Sequence, residues 1–215
     1  MNIYIREPIN ALTHLGGAIL SFVGLLAMII KVCLTEPSIT SITAIMIFGI
    51  SMILLYTASA TYHSVIGSDR VLFILRKLDH SMIYLLIAGS YTPFCLITLN
   101  NKIGWIIFLI VTVMAIAGIT FKLAYFHCPR WLSTSIYIAM GWLIVFASNS
   151  LFSTLQSMGV LLLLIGGIFY SVGGVIYAIK PKFMSNRYFG FHEIFHIFIL
   201  LGSLSHFLCV YFYVI

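Results

Sequence analysis

The stretch MGVLLLLIGGIFYSVGGVIYAI, which runs from Met158 to Ile179, contains no charged residue. A helix of about 20 predominantly apolar residues is long enough to cross the hydrocarbon core of a bilayer. Within the stretch, Gly167, Ser171 and Gly174 share one helix face, and we expect a neighbouring helix to pack closely against that face. The stretch therefore predicts a transmembrane helix.

Six more apolar stretches of similar length occupy most of the remaining chain. Of the 215 residues, 62% are hydrophobic and 7% are charged, whereas soluble domains carry about 25% charged residues. A chain this apolar has too little polar surface to cover a globule in water. We predict an all-α membrane protein in which residues 1–215 form one bundle of seven transmembrane helices. The predicted spans are Asn10–Cys33, Ile39–His63, His80–Leu99, Ile103–Phe121, Leu132–Leu151, Met158–Ile179 and Phe191–Ile215.

The Lys and Arg residues predict how the bundle is oriented. Nine of the eleven fall on one side of the predicted spans, whereas Lys31 and Lys102 fall on the other. Because cytoplasmic loops carry the excess of Lys and Arg, we expect a cytoplasmic N-terminus and an external C-terminus. Membrane topology thus explains the net charge of +6, and we expect no nucleic-acid partner. The nine are Arg6, Arg70, Arg76, Lys77, Lys122, Arg130, Lys180, Lys182 and Arg187.

Three histidines at one membrane depth predict a metal site. His63 ends the second span and His192 and His196 begin the seventh, so the opposite directions of these spans place all three at the cytoplasmic end. His192 and His196 are four residues apart and project from one helix face. Three imidazoles leave the fourth position of a tetrahedral ion open for water, as in catalytic zinc sites. We predict zinc as the ion, with iron, nickel and copper as alternatives.

Two further polar residues lie at the same predicted end. Asp79 begins the third span, and we expect its carboxylate to hold or deprotonate the attacking water. Ser59 lies one helical turn before His63 and could orient that water or a substrate carbonyl. The alternative for Asp79 is an ion pair with Arg76 or Lys77 at the membrane interface.

The sequence from His192 to His196 also matches H-E-x-x-H, in which Glu193 would be the general base of a metalloprotease. Adjacent helix residues diverge by about 100°, so we expect Glu193 to point away from the metal and keep the protease as the minor alternative. His206 lies about 15 Å along the helix from His196, too far to bind the same ion. We expect it to hydrogen-bond across the bundle. The remaining histidines are interpreted as interfacial residues: His14, His80 and His127.

Taken together, these motifs resemble the hemolysin III proteins of bacteria, which are relatives of the progestin and adiponectin receptors. The resemblance covers essentially the whole chain. It implies a seven-helix bundle with its N-terminus inside and zinc on the cytoplasmic side, bound by His63, His192 and His196 with Asp79 and Ser59 nearby. The motifs that carry it are Glu7 through Gly16 (EPINALTHLG), Ser59-x-x-x-His63, Lys77-Leu-Asp79-His80-Ser81 through Gly89-Ser90-Tyr91-Thr92-Pro93, and His192-x-x-x-His196 through His206-Phe207.

The resemblance also suggests a function in a bacterial cell (inner) membrane. The wider superfamily includes alkaline ceramidases, which cleave lipid amides, and some bacterial members are linked to membrane lipid homeostasis. We expect a zinc-dependent, hydrolase-like protein that acts on or senses acyl lipids through an amide or ester bond, with membrane lipids as its partners. The alternatives are a pore-forming haemolysin and a non-enzymatic lipid receptor. The nearly apolar outer half of the spans argues against a simple pore.

Overall fold

The computed structural model describes residues 4–35, 37–125, 128–181 and 190–215. Within these residues the chain forms seven long helices. Each is long and apolar enough to cross a membrane. The predicted all-α bundle of seven transmembrane helices is therefore confirmed. The helices are α1 (Pro8–Leu34), α2 (Ile39–Ser64), α3 (Asp69–Leu99), α4 (Lys102–Ala124), α5 (Arg130–Thr154), α6 (Ser157–Ile179) and α7 (Phe191–Val214).

Apolar side chains cover the outside of the bundle, as expected for a protein surrounded by lipid. Large apolar side chains such as Leu20, Leu109 and Phe146 are exposed on its outer faces. The interior contains polar side chains as well as an apolar core, because a polar group inside the bundle can find partners that lipid cannot offer. The buried polar side chains include Asn10, His14, Ser59, His63, His196, Ser203 and His206.

Neighbouring helices in the chain are mostly neighbours in space. α1 packs on α2, α2 on α3, α3 on α4, α5 on α6 and α6 on α7, and α7 also packs against α1. Short connections favour this antiparallel arrangement. As a result, the last turn of α2 and the first turns of α1, α3 and α7 lie at the same end of the bundle.

α3 begins at Asp69, well before the predicted start of this span at His80. Its first turns carry Arg70, Arg76 and Lys77. These residues lower the local hydropathy, so the sequence of this segment resembles that of a loop. Ser68 precedes the helix in an extended conformation, and the negative charge of Asp69 is favourable in a first helical turn. The long loop predicted between the second and third spans is therefore mostly helical.

In the part of the chain that the structure describes, regular helix geometry is interrupted in three places. α3 continues as a π-helix after Pro93, and α7 ends in a π-helical turn. The middle of α5, Trp142–Ala147, is 3₁₀. There the Tyr91 hydroxyl lies 2.9 Å and 2.7 Å from the carbonyl oxygens of Met140 and Gly141. It also accepts the N–H of Ile144 at 2.9 Å. One side chain thus satisfies backbone groups that the interruption would leave unpaired in the membrane.

α6 packs closely against its neighbours on two faces, of which the predicted one meets α5 and the other meets α7. A Cβ atom on Gly166 would lie 2.2 Å from the His206 ring, and one on Gly173 would lie 2.8 Å from Phe198. The absence of a side chain at these two positions therefore allows α7 to pack closely against α6.

On the predicted face, a Cβ atom on Gly174 would lie 3.1 Å from Thr134 of α5, whereas one on Gly167 would lie 3.8 Å from the Trp142 ring. The Trp142 ring N–H also donates to Ser171 at 2.9 Å. Hydropathy alone does not identify which small residues a neighbouring helix contacts.

Candidate metal centre

The structure brings His63, His192 and His196 together. Each offers one ring nitrogen, and these three nitrogens all lie within 4.8 Å of one another. His63 lies in the last turn of α2, and the other two lie in the first turns of α7. His63 and His196 are each 1% exposed. The three imidazoles therefore meet in a dry site that could hold a metal ion.

One of the three nitrogen separations matches that expected around a tetrahedral ion. The Nε2 atoms of His63 and His192 are 3.3 Å apart. Two nitrogens that each lie 2.0–2.1 Å from a tetrahedral ion are separated by about 3.3–3.4 Å. Imidazole nitrogen suits zinc, and also iron, nickel and copper. The donor set thus fits a transition metal, and zinc stays a prediction.

Glu7 fixes the orientation of His63. The Glu7 Oε2 atom lies 2.6 Å from Nδ1 of His63, and the Glu7 backbone N–H donates to the His63 carbonyl at 3.0 Å. The hydrogen bond to His63 lowers the pKa of Glu7 to about 2, so the carboxylate is charged at neutral pH. A carboxylate that accepts from Nδ1–H leaves Nε2 free to bind a metal. Sequence reasoning gave Glu7 no role, although it opens the EPINALTHLG motif.

Glu193 ties α7 to α1. Its Oε1 atom accepts from Nδ2 of Asn10 at 2.8 Å, and its Oε2 atom accepts the N–H of Gly190 at 2.8 Å. Asn10 also donates to Glu7 at 3.3 Å. Both oxygens of Glu193 are thus engaged at the start of α7, which disfavours the general-base role of the H-E-x-x-H pattern.

Asp79 and Ser59 lie on the wall of a cavity that His192 and His196 also line. Oδ2 of Asp79 lies 3.4 Å from Nδ1 of His80, longer than a typical charge-assisted hydrogen bond of about 2.7–2.9 Å. Asp79 is not one of the three clustered ligand residues. Both side chains therefore line the same cavity as the two histidines, and their predicted catalytic roles stay predictions.

Of the two ion pairs predicted as alternatives for Asp79, the structure shows a different partner for Lys77, and the pair with Arg76 stays a prediction. The Lys77 ammonium donates to the carbonyl of Leu123 at 2.6 Å. Asp79 lies 3.4 Å from Nδ1 of His80, whose Nε2 atom is 3.0 Å from the Tyr177 hydroxyl. Asp79 thus lies beside His80 at the cavity wall.

The cavity has a volume of about 460 Å³ and extends from the histidine cluster into the bundle. Its deep end reaches His206, about 15 Å from His196 along α7. There Nε2 of His206 lies 3.3 Å from the Leu163 carbonyl of α6, so this histidine bonds across the bundle as predicted. Between the two ends the wall is mainly apolar, formed by residues such as Leu55, Ile83, Phe94, Tyr137, Val160 and Ile199. The site thus joins a polar end to a long apolar chamber.

The interpretation of His14 as an interfacial residue is wrong. Its side chain is 3% exposed, and its ring stacks on His196 with centroids 3.6 Å apart. The sequence signal was its position seven residues after Glu7, on the α1 face that also carries Asn10. His80 is partly buried and bonds to Tyr177, while His127, Lys182 and Arg187 lie outside the described residues.

Comparison with known proteins gives consistent matches over the whole chain. A family model described as Haemolysin-III related matches residues 2–207. The chain is 43% identical to a Bacillus cereus protein named Hemolysin-3 over 216 residues, covering all of this chain and 95% of the relative. It is 41% identical to the Hemolysin-3 homolog of Bacillus subtilis (strain 168) over 210 residues, covering 97% of this chain and 95% of the relative.

Proposed function

Because this chain belongs to the Haemolysin-III related family and is a multi-pass bacterial membrane protein, we propose that it is a zinc-dependent hydrolase of acyl lipids. The bond cleaved is an amide or an ester, and the same site would serve as a lipid sensor if turnover is absent. The proposal identifies the ion held by His63, His192 and His196 as zinc and links the protein to membrane lipid homeostasis.

The observation that carries the proposal is the continuity between the histidine cluster and the apolar cavity. One wall of the cavity's polar end contains Ser59, Asp79, His192 and His196. The rest of the cavity is shaped and lined for a hydrocarbon chain, which gains free energy by leaving water for apolar surroundings. A lipid whose chain fills the chamber would place its carbonyl group at the cluster.

Each polar residue has a distinct role in this proposal. A bound zinc ion would supply Lewis-acid polarisation of the carbonyl and a lowered pKa for water. Asp79 would orient the attacking water and accept its proton at a carboxylate oxygen. The proton then passes to the leaving nitrogen or oxygen. The Ser59 hydroxyl would donate a hydrogen bond to the substrate carbonyl, and Glu7 would keep the His63 ring in its binding orientation.

The orientation of the bundle is part of the proposal. Arg6 lies just before α1, and Arg70, Arg76 and Lys77 lie in the first turns of α3, at the same end as the histidines. The positive-inside rule then places the cluster on the cytoplasmic side. A substrate would enter from the inner leaflet or from the bundle's lipid-facing side.

Elemental analysis combined with a lipid assay tests this function. Protein purified in detergent should contain about one zinc per chain, as expected for a three-histidine site. His63→Ala, His192→Ala and His196→Ala should each remove most of the metal, whereas His206→Ala should not. Wild type should release fatty acid from at least one member of a panel of N-acyl and O-acyl lipids.

Two results would count against the proposal in different ways. Wild-type protein that binds no zinc, or variants that keep it, would refute the metal site. Full zinc content with lipid binding but no fatty-acid release across the panel would refute the hydrolase and leave the sensor.

A further inference from the structure

His14 is a buried imidazole whose place in the bundle the proposed chemistry does not explain. Its ring lies parallel to that of His196, with an interplanar angle of 7° and a centroid separation of 3.6 Å. The Tyr56 ring meets it edge to face at 5.1 Å. Neither ring nitrogen of His14 has a hydrogen-bond partner among the described residues. Because an unbonded buried polar group costs free energy, its presence here calls for a compensating role.

His14 is not oriented to bind the metal itself. A ring nitrogen binds an ion along its own ring plane, at about 2.0–2.1 Å. Since the two rings are parallel, an ion in the plane of His196 lies about 3 Å out of the plane of His14. In agreement, His14 does not belong to the group of nitrogens that lie within 4.8 Å of one another.

The ligand histidines differ in how their rings are held. His63 is fixed by its 2.6 Å hydrogen bond to Glu7. Nδ1 of His196 is buried and has no hydrogen-bond partner in the described part of the chain. Several rings pack around His196, and the stacked His14 ring is the nearest, with centroids at 3.6 Å against 4.7 Å for His192 and 5.0 Å for His63.

We propose that His14 is a positioning residue that holds the His196 imidazole in its metal-binding orientation by stacking. This inference rests on the proposed metal site. An ion bound to His196 withdraws electron density from its ring, and the π face of a neutral His14 stabilises the resulting electron-poor ring. The stacked pair connects α1 to α7, just as the Glu7 hydrogen bond connects the start of α1 to α2.

Binding of Co²⁺ to the purified full chain tests the role, since Co²⁺ absorbs visible light with a spectrum that depends on ligand geometry. His14→Ala should weaken Co²⁺ and Zn²⁺ binding by about 10–100-fold, the usual effect of removing a residue that orients a metal ligand. It should also change the Co²⁺ spectrum. His14→Phe keeps a flat ring without nitrogens and should restore both the affinity and the spectrum. His206→Ala removes another buried histidine of the same cavity and should leave both unchanged.

The variants separate failure of this inference from failure of the metal site. If His14→Phe loses affinity as His14→Ala does, a ring nitrogen and not stacking is needed, and the inference is wrong. It is equally wrong if His14→Ala keeps wild-type affinity and spectrum. Should His14→Ala fail to fold by circular dichroism, the His14→Phe result decides alone. Wild type that binds neither ion would overturn the metal site and this inference together.

Discussion

Asp79 and Glu193 are both acidic residues near the histidine cluster, but their surroundings differ. Glu193 accepts hydrogen bonds on both oxygens, from Asn10 and from the N–H of Gly190. Asp79 lies on the cavity wall and makes a long contact with His80. A side chain that is adjacent to a clustered histidine in the sequence therefore need not face the cavity. Of the two acidic residues, Asp79 lines the cavity and Glu193 does not.

This difference predicts unequal effects of two isosteric substitutions. Asp79→Asn removes a base and should retain the fold and most of the zinc. It should nevertheless lower the rate of lipid hydrolysis by about 10²–10⁴-fold, the usual contribution of a general base. Glu193→Gln should cause a smaller loss, since its carboxylate acts at the start of α7. Fatty-acid release and zinc content should be measured on the same samples. A larger loss in Glu193→Gln would move the base to the H-E-x-x-H pattern.

At the scale of the helices, close packing rather than hydropathy determines which glycines matter. Gly89 of α3 faces α2, and a Cβ atom there would lie 2.1 Å from Oγ and 2.5 Å from Cβ of Ser51. The Ser51 Cβ atom cannot move without its backbone, so rotation of the side chain does not relieve the clash. By contrast, a Cβ atom on Gly16 of α1 would have no neighbour within 4 Å among the described residues.

Gly89→Ala and Gly16→Ala therefore form a matched pair. Overpacking at Gly89 should destabilise the bundle by about 1–3 kcal/mol. Gly16→Ala should be neutral or stabilise it by up to about 1 kcal/mol, because alanine has the higher helix propensity. Unfolding of the detergent-solubilised protein, followed by circular dichroism, measures both changes. Equal stability of the two variants would show that α2 and α3 do not approach each other as closely as described.

At the scale of the whole molecule, the sequence predicts the bundle and the shared depth of the three histidines, but not their surroundings. Seven apolar stretches suffice to predict the spans, because the hydropathy of a stretch can be calculated without knowing which helices pack against it. Alternating span directions bring His63 and His192 to one end. The contacts of Glu7 and His14 depend on which helices pack against α1. A single sequence does not show which helices are neighbours in space, so it does not predict these contacts. The charged start of α3 was not predicted for a simpler reason. Its Arg and Lys residues lower the local hydropathy, as the residues of a loop do.

The orientation of the molecule is open to direct measurement. The Lys and Arg bias predicts a cytoplasmic N-terminus and an external C-terminus. Reporter domains that are active on one side of the membrane only, fused to each end, should give opposite signals. Cys128, which lies in the connection between α4 and α5, should be shielded from an impermeant thiol reagent in intact cells, whereas the exposed Cys33 at the opposite end of the bundle should react. A C-terminal reporter active in the cytoplasm would reverse the proposed location of the histidine cluster.

The distance between the ligands along the chain has a consequence for biosynthesis. His63 leaves the ribosome in the second helix, whereas His192 follows in the seventh, 129 residues later, together with His196. Until the seventh helix is inserted, the earlier ones leave His63 and Glu7 beside an incomplete pocket. If the cluster binds an ion as proposed, that ion can bind only after the seventh helix has been inserted in the correct direction. In a nascent chain halted before the seventh helix, Glu7 and His63 would still bond to each other, but the other two imidazoles would be missing.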